Sequence, residues 1–170
     1  MTKKILITAL AFGLAVTVFL IIYNSIINDG ITIITVVSTI IGGLIGSLLF
    51  AWIMQYSAKK LFKKIVIETN ANEHILKEGG ANHFKGKEGV GGKLVLTNTR
   101  LIFKSHKLNI QIHEENFDLD RVNAIKTTKT FNFLHNGLTL ELKDNNHHRF
   151  IVDDPTDWVG RILRQKQLIN

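Results

Sequence analysis

Cysteine is absent from this 170-residue chain, and proline occurs once. Without cysteine, disulfides, thiolate chemistry and cysteine-based zinc sites are excluded. Charged side chains are also absent from two long apolar runs, Ile5–Ile27 and Ile31–Met54, which only three residues separate. As a helix, each run would be about 35 Å long, enough to cross a hydrocarbon core of about 30 Å. The sequence therefore predicts two membrane spans.

The runs predict an uncleaved transmembrane helical hairpin over residues 1–54, with spans at 5–27 and 31–54. A soluble core is the weaker interpretation, because the residues after Met54 are too few to bury two such helices. A secretory signal is the other alternative for the first run, and the uncleaved hairpin is preferred because the run is longer than an h-region and lacks a small-residue cleavage site. The Ile-, Lys- and Asn-rich composition is typical of AT-rich bacterial genomes, which places the hairpin in a bacterial plasma membrane.

The positions of the lysines predict the orientation. Lys3 and Lys4 precede the first span, and lysines follow the second span. Asp29 is the only charged residue in the connection between them. The positive-inside rule then puts both termini in the cytoplasm. Within the second span, Gly42 and Gly46 form a GxxxG pair, with Gly43 and Ser47 offset by one residue. Such spacing lets helix backbones approach closely, and we expect packing within the hairpin rather than dimerisation.

The net charge of +7 does not indicate nucleic-acid binding. Residues 1–64 hold six lysines and one aspartate, a net of +5, whereas residues 65–170 hold 15 basic and 13 acidic residues, a net of +2. The excess therefore flanks the spans. Residues 55–67 are predicted as a basic juxtamembrane helix, with one face formed by Lys59, Lys60, Lys63 and Lys64. This helix either lies in the membrane interface or continues the second span.

Residues 68–170 are predicted to form one cytoplasmic domain. Gly92–Thr97 puts Leu94 and Leu96 on one face, Asn98-Thr99 turns the chain, and Arg100–Lys104 puts Leu101 and Phe103 inward, which is the signature of a β-hairpin. Further strands are predicted at 75–84, 110–119, 122–130, 138–143 and 149–152, with turns at 135–137 and 144–146.

The domain is predicted to end in an α-helix. Asp153 or Asp154 can cap it with Pro155 in the first turn, and Trp158 and Ile162 form an i, i+4 apolar pair on one side. Many short strands followed by one amphipathic helix predict a mostly β, partly open barrel capped by a C-terminal α-helix.

These residues resemble a known family. Gly91–Lys104 resembles the central hairpin of GRAM domains, which are modules like pleckstrin-homology (PH) domains. Glu73–Gly79 resembles their first strand, Phe117–Val122 a later strand with its turn, and His148–Val152 followed by Trp158 the last strand and closing helix. The resemblance covers Glu73 to Leu163.

The resemblance implies a seven-stranded, helix-capped barrel that binds phosphoinositides, other anionic lipids or a protein, without catalysis. Two hypotheses follow: a membrane-anchored module that binds anionic headgroups or senses the inner membrane surface, and an adaptor that docks a protein partner while the hairpin packs on another membrane protein. Besides the four juxtamembrane lysines, the residues predicted to face a headgroup or the membrane surface are Lys85, Lys87, Lys93, Arg100 and Lys104.

No enzymatic, cofactor or metal site is predicted. The glycines at 86–92 do not match a phosphate-binding loop, since Lys87 and Leu94 stand where such motifs need glycine or a hydroxyl residue. The histidines show no ligand spacing, and His147 and His148 are adjacent on a strand and so point to opposite faces. They are predicted to be surface or turn residues.

Overall fold

A computed structural model describes residues 3–27, 30–86, 88–130 and 134–169 of the chain. The chain divides into two compact units, Met1–Lys60 and Leu61–Asn170. The first holds helices and the second holds a β-sheet with one further helix. We describe each unit by itself.

Two helices form the first unit. Helix α1 covers Lys3–Ile27, and helix α2 begins at Ile33 and ends at Lys63. Both are long and apolar enough to cross a membrane, by length and composition. Thr32 caps α2, since its Oγ1 accepts a hydrogen bond from the Thr35 N–H at 3.2 Å. The basic segment predicted as a helix over 55–67 is helical only to Lys63, where α2 ends.

Small residues bring α1 and α2 together. Gly13 faces Ser47, and a Cβ added at Gly13 would lie 2.6 Å from the Ser47 Cβ. A Cβ added at Gly43 would lie 1.9 Å from Thr17 Oγ1, so no larger side chain fits there. This close approach is typical of membrane helices, in which small residues replace the large apolar contacts of soluble cores.

The second unit holds seven antiparallel strands. They are β1 (Ile75–Lys85), β2 (Glu88–Thr97), β3 (Arg100–Ser105), β4 (Glu114–Asp118), β5 (Val122–Thr130), β6 (Leu134–Leu142) and β7 (His147–Val152). Their order in the sheet is β4-β3-β2-β1-β7-β6-β5. The sheet curls into a half-barrel, so that Phe117 on the edge strand β4 lies against His148 on β7, with ring centroids 4.5 Å apart.

The concave side of the sheet holds the core. Leu94, Leu96, Leu101 and Phe103 are fully buried, which confirms the inward face predicted for the β2–β3 hairpin. Helix α3 (Pro155–Ile169) closes the half-barrel with Trp158 and Ile162, which are also buried. The helix starts as predicted, because Asp154 Oδ1 accepts a hydrogen bond from the Asp157 N–H at 3.2 Å.

Two local predictions are wrong. The strand predicted over 110–119 begins only at Glu114, and residues 106–113 form a loop of turns and bends between β3 and β4. The turn predicted at 135–137 lies inside β6, where Gly137 pairs with Thr128 and Ile151. A Cβ at Gly137 would lie 2.4 Å from Thr128 Oγ1, so this glycine permits a close approach rather than a turn.

Candidate functional site

A basic groove lies on the second unit, between residues 61–66 and residues 104–108 at the end of β3 and the start of the β3–β4 loop. It has a volume of about 520 Å³. Three lysines, Lys64, Lys104 and Lys107, line it together with apolar side chains from both segments. Lys64 and Lys107 are exposed, and neither has an ion-pair partner among the residues that the structure describes. The groove therefore presents uncompensated positive charge beside apolar surface.

The β3–β4 loop exposes a row of apolar side chains next to this groove. Leu108 is 72% exposed, Ile110 95% and Ile112 65%. The loop backbone is nevertheless held in place, since Asn109 Nδ2 donates to the Gly91 carbonyl at 2.6 Å and to the His106 carbonyl at 3.1 Å. Contiguous exposed apolar groups beside positive charge mark interaction surfaces.

The predicted strand lysines are neutralised by neighbouring carboxylates. Lys93 Nζ lies 2.8 Å from Glu78 Oε2 and 4.8 Å from the centre of the Phe62 ring, and only 12% of its side chain is exposed. Lys104 Nζ lies 2.8 Å from Glu114 Oε2 but remains one-third exposed at the groove. Of these two, only Lys104 can contribute to a surface for anions.

Arg100 serves the fold. Its Nε and Nη2 donate to the two carboxylate oxygens of Glu73, each at 2.8 Å, and its Nη1 donates to Asn116 Oδ1 at 2.9 Å. Glu73 is buried and also accepts hydrogen bonds from the Asn70 N–H and from the hydroxyls of Thr97 and Thr99. This network fastens the segment before β1 to the β2–β3 turn.

The hydrogen bonds from Arg100 set the charge state of the pair. They lower the pKa of Glu73 to about 2, against the opposing effect of burial. The bond to Glu73 in turn raises the pKa of Arg100. Both groups are therefore charged at neutral pH, and the guanidinium is occupied by protein partners.

The other predicted surface residues fall into two groups. Lys59, Lys60, Lys63 and Lys64 are all exposed. Lys85 ends β1, with a side chain outside the described part, and Lys87 lies outside the described residues.

The glycines predicted for helix packing, Gly42 and Gly46, do not make the close contact within the hairpin. A Cβ at either position would meet no atom within 4 Å in the described part of the chain, so the close approach is made by Gly43 and Ser47.

The prediction that the histidines are surface or turn residues is wrong for His83. This side chain on β1 is 1% exposed and stacks on the Phe150 ring, with centroids 4.6 Å apart. Its Nδ1 lies 3.0 Å from His113 Nε2, and its Nε2 lies 3.3 Å from His148 Nδ1. The three imidazoles thus meet inside the half-barrel, which their sequence spacing does not indicate.

Comparison of the chain with known protein families agrees with the curled sheet and closing helix described above. The model of the GRAM domain family matches residues 58–157, which is more than half of the chain. The chain belongs to the GRAM domain family. The match begins before the predicted Glu73, in agreement with the structure, where Phe62 packs against Gly80 and Lys93 of the sheet.

Solved structures show the same PH-like fold for the GRAM domain. The C-terminal domain of an unknown protein from Leishmania infantum is 16% identical, with a TM-score of 0.51 over 67% of this chain and 98% of its own. The Vps36 N-terminal PH domain is 17% identical, with a TM-score of 0.50 over 60% of this chain and 85% of its own. No curated protein matched the chain.

Sequence reasoning missed two parts of the groove. Lys107 and Leu108 precede the strand predicted over 110–119, and neither is among the residues predicted to face a headgroup or the membrane surface. The alternation of Leu108, Ile110 and Ile112 with polar residues imitates a strand. The asparagine between them was the available sign of a loop, because asparagine is depleted in strands and favoured in turns.

Proposed function

We propose that this protein is a non-catalytic, membrane-anchored module whose GRAM domain docks on an anionic lipid surface. The observation that carries the proposal is the pairing of the exposed Leu108 and Ile110 with the uncompensated Lys64 and Lys107. Apolar side chains can enter the headgroup region while the lysines attract anionic lipids, and each lysine near such a surface contributes about 1 kcal/mol.

The proposal places α1 and α2 across a bacterial plasma membrane, with both termini in the cytoplasm. The length and apolar character of the helices and the distribution of the lysines support this topology. Lys64 follows the predicted second span by ten residues along the chain, so the two spans would tether the groove to the membrane. A tethered domain needs only weak affinity for the surface, because the anchor supplies a high effective concentration.

The described basic residues favour general recognition of an anionic surface over one specific phosphoinositide. Arg100 and Lys93 are held by Glu73 and Glu78, so that in this part of the chain Lys64, Lys104 and Lys107 are the basic residues that line the groove. An adaptor role, in which the same loop docks a protein partner, makes a different prediction, because docking would then be independent of lipid charge.

The test uses the natural absence of cysteine. The full chain with Ile110→Cys, labelled with an environment-sensitive fluorophore, is reconstituted into nanodiscs of neutral lipid or of neutral lipid with phosphatidylglycerol. We expect a blue shift in the anionic nanodiscs that salt reverses. A label on Lys126→Cys, an exposed position on the opposite edge strand β5, should show no shift.

Charge reversal gives the matched control. Lys64→Glu with Lys107→Glu should abolish the shift of the label at position 110. Lys126→Glu with Lys129→Glu, which changes the net charge equally on β5, should leave the shift in place. Equal emission from position 110 in neutral and anionic nanodiscs would refute lipid docking and favour the adaptor role.

A further inference from the structure

The inside of the half-barrel brings together three histidines and one carboxylate at the end of β1 away from Trp158. His83 lies on β1, His148 on β7 and Glu115 on β4, and His113 is the loop residue directly before β4. One ligand atom each from His83, His113 and Glu115 lies within 4.8 Å of the others. From this arrangement we propose a binding site for one divalent transition-metal ion of the type that prefers imidazole, such as Zn²⁺.

The nitrogen geometry matches a shared ion. Two donors at about 2.0–2.1 Å from a tetrahedral Zn²⁺ are separated by about 3.3–3.4 Å. His83 Nδ1 and His113 Nε2 are 3.0 Å apart, so a small outward movement of either ring admits the ion. The ligand atoms lie within 4.8 Å of one another, so the Glu115 carboxylate must close by at most about 1.5 Å to reach the same spacing. Its side chain is half-buried and turns about three bonds.

His148 supplies the hydrogen-bond acceptor that orients His83. A histidine that binds metal through one nitrogen donates the other N–H to a fixed acceptor, which sets its tautomer. With Nδ1 on the ion, His83 carries its proton on Nε2, which faces His148 Nδ1 at 3.3 Å. The same tautomer therefore satisfies both neighbours, and His148 acts as a positioning residue for His83.

The surroundings hold the ring of His83 and the backbone of His113 in place. Phe103, Phe117 and Phe150 surround the His83 ring with centroids between 4.6 and 6.5 Å away. His113 is fixed by two hydrogen bonds to the end of β3: its N–H donates to Ser105 Oγ at 2.9 Å, and its carbonyl accepts from the Ser105 N–H at 3.0 Å. A divalent ion in this apolar setting is balanced in part by the Glu115 carboxylate, and a water completes four ligands.

The experiment titrates the full, chelator-treated chain in detergent with Zn²⁺ by calorimetry, and with Co²⁺ by visible absorption. We expect one Zn²⁺ per chain and the intense d–d bands of Co²⁺ in a site of low coordination number. Mg²⁺ and Ca²⁺ should not compete, because they prefer sites made of oxygen. Zn²⁺ should also raise the melting temperature. Failure of the wild-type chain to bind stoichiometric Zn²⁺ would overturn the proposal.

The variants separate a ligand role from a structural one. His113→Gln and Glu115→Gln should weaken Zn²⁺ binding at least 100-fold, and His148→Gln about 10–100-fold. Their exposed neighbours His147→Gln and Glu114→Gln point away from the interior and should bind as the wild type does. If His113→Gln does not fold, the half-buried Glu115→Gln carries the same test. Unchanged affinity in the ligand variants would assign the ion to surface histidines and refute the site.

Discussion

The carboxylate of Glu73 and the guanidinium of Arg100 form a two-pronged ion pair, with both N–O distances at 2.8 Å. The pair joins the chain entering β1 to the first residue of β3. It is almost fully buried on the Glu73 side, where 2% of the side chain is exposed. Removal of one partner would leave a buried charge without compensation, which is more costly than loss of a surface pair.

The first prediction concerns acid stability. The folded pKa of Glu73, about 2, lies below its ordinary value of 4.5. The ionised carboxylate thus stabilises the fold above pH 4.5, and this contribution is lost as the pH falls toward 2. One pKa unit corresponds to about 1.4 kcal/mol, so the loss is about 3 kcal/mol. Urea unfolding of the full chain in detergent, followed by circular dichroism between pH 2 and 7, measures it.

The matched variants are Glu73→Gln and Glu78→Gln. Glu73→Gln should lower the free energy of unfolding at pH 7 by about 3–5 kcal/mol and remove this part of the acid dependence. Glu78→Gln breaks the ion pair with Lys93 at an exposed carboxylate and should cost less than about 1 kcal/mol. Equal losses for the two variants would contradict a dominant role for Glu73.

The second prediction concerns the helix that closes the half-barrel. Trp158 is 1% exposed and lies against Gly79 of β1. Trp158→Ala should lower the free energy of unfolding by about 3–5 kcal/mol, because it leaves a large cavity in the core. Leu163→Ala, on an exposed position of α3, should change it by less than about 1 kcal/mol. Chemical unfolding of the full chain compares them, and a mild effect of Trp158→Ala would show that α3 contributes little to the core.

The third prediction separates the two small-residue pairs of α2, Gly42 with Gly46 and Gly43 with Ser47. Gly43→Ile places a bulky side chain where Thr17 Oγ1 already lies, so α1 and α2 must move apart. Gly42→Ile adds the same apolar surface where no described atom is within 4 Å. Thermal unfolding in detergent should show a lower melting temperature for Gly43→Ile only. A larger effect at Gly42 would instead place the important helix contact between chains.

The fourth prediction tests whether Ile110 is retained for docking rather than for the fold. Ile110→Ser removes a side chain that is 95% exposed, so the free energy of unfolding should change by no more than about 0.5 kcal/mol. In anionic nanodiscs, a fluorophore on Leu108→Cys should then lose much of its blue shift. Ile75→Ser, an exposed apolar position at the start of β1, serves as the control and should preserve the shift.

Local sequence patterns predict the β2–β3 hairpin. Apolar residues two positions apart, Leu94 with Leu96 and Leu101 with Phe103, mark the face that lies in the core, although Val95 and Ile102 between them are buried as well. The same rule fails at Leu108–Ile112, because alternation reports only a period and not what covers the apolar side chains. Gly137 misled the prediction for a related reason: a glycine signals either a turn or a close approach, and its neighbour Thr128 lies nine residues away.

The histidine cluster could not be predicted from spacing. His83, His113 and His148 are brought together by the register of β1 with β7 and by the curl that places β4 near β7. Both are long-range properties of the sheet. The ion pair between Arg100 and Glu73 could not be predicted for the same reason, because Glu73 precedes the first strand and its sequence context is that of an ordinary surface residue.

The described sheet does not close, so β4 and β5 are edge strands, and each disfavours pairing with another chain in a different way. An unpaired strand edge is a template for another chain. Strand β4 is only five residues long and carries Glu114, Glu115 and Asp118, so a second copy would meet like charge. Strand β5 is longer, but its pairing is irregular between Val122 and Ala124 and between Thr128 and Thr130, and Lys126 and Lys129 interrupt it. Both outer strands therefore carry features that disfavour edge-to-edge pairing with a second copy of the chain.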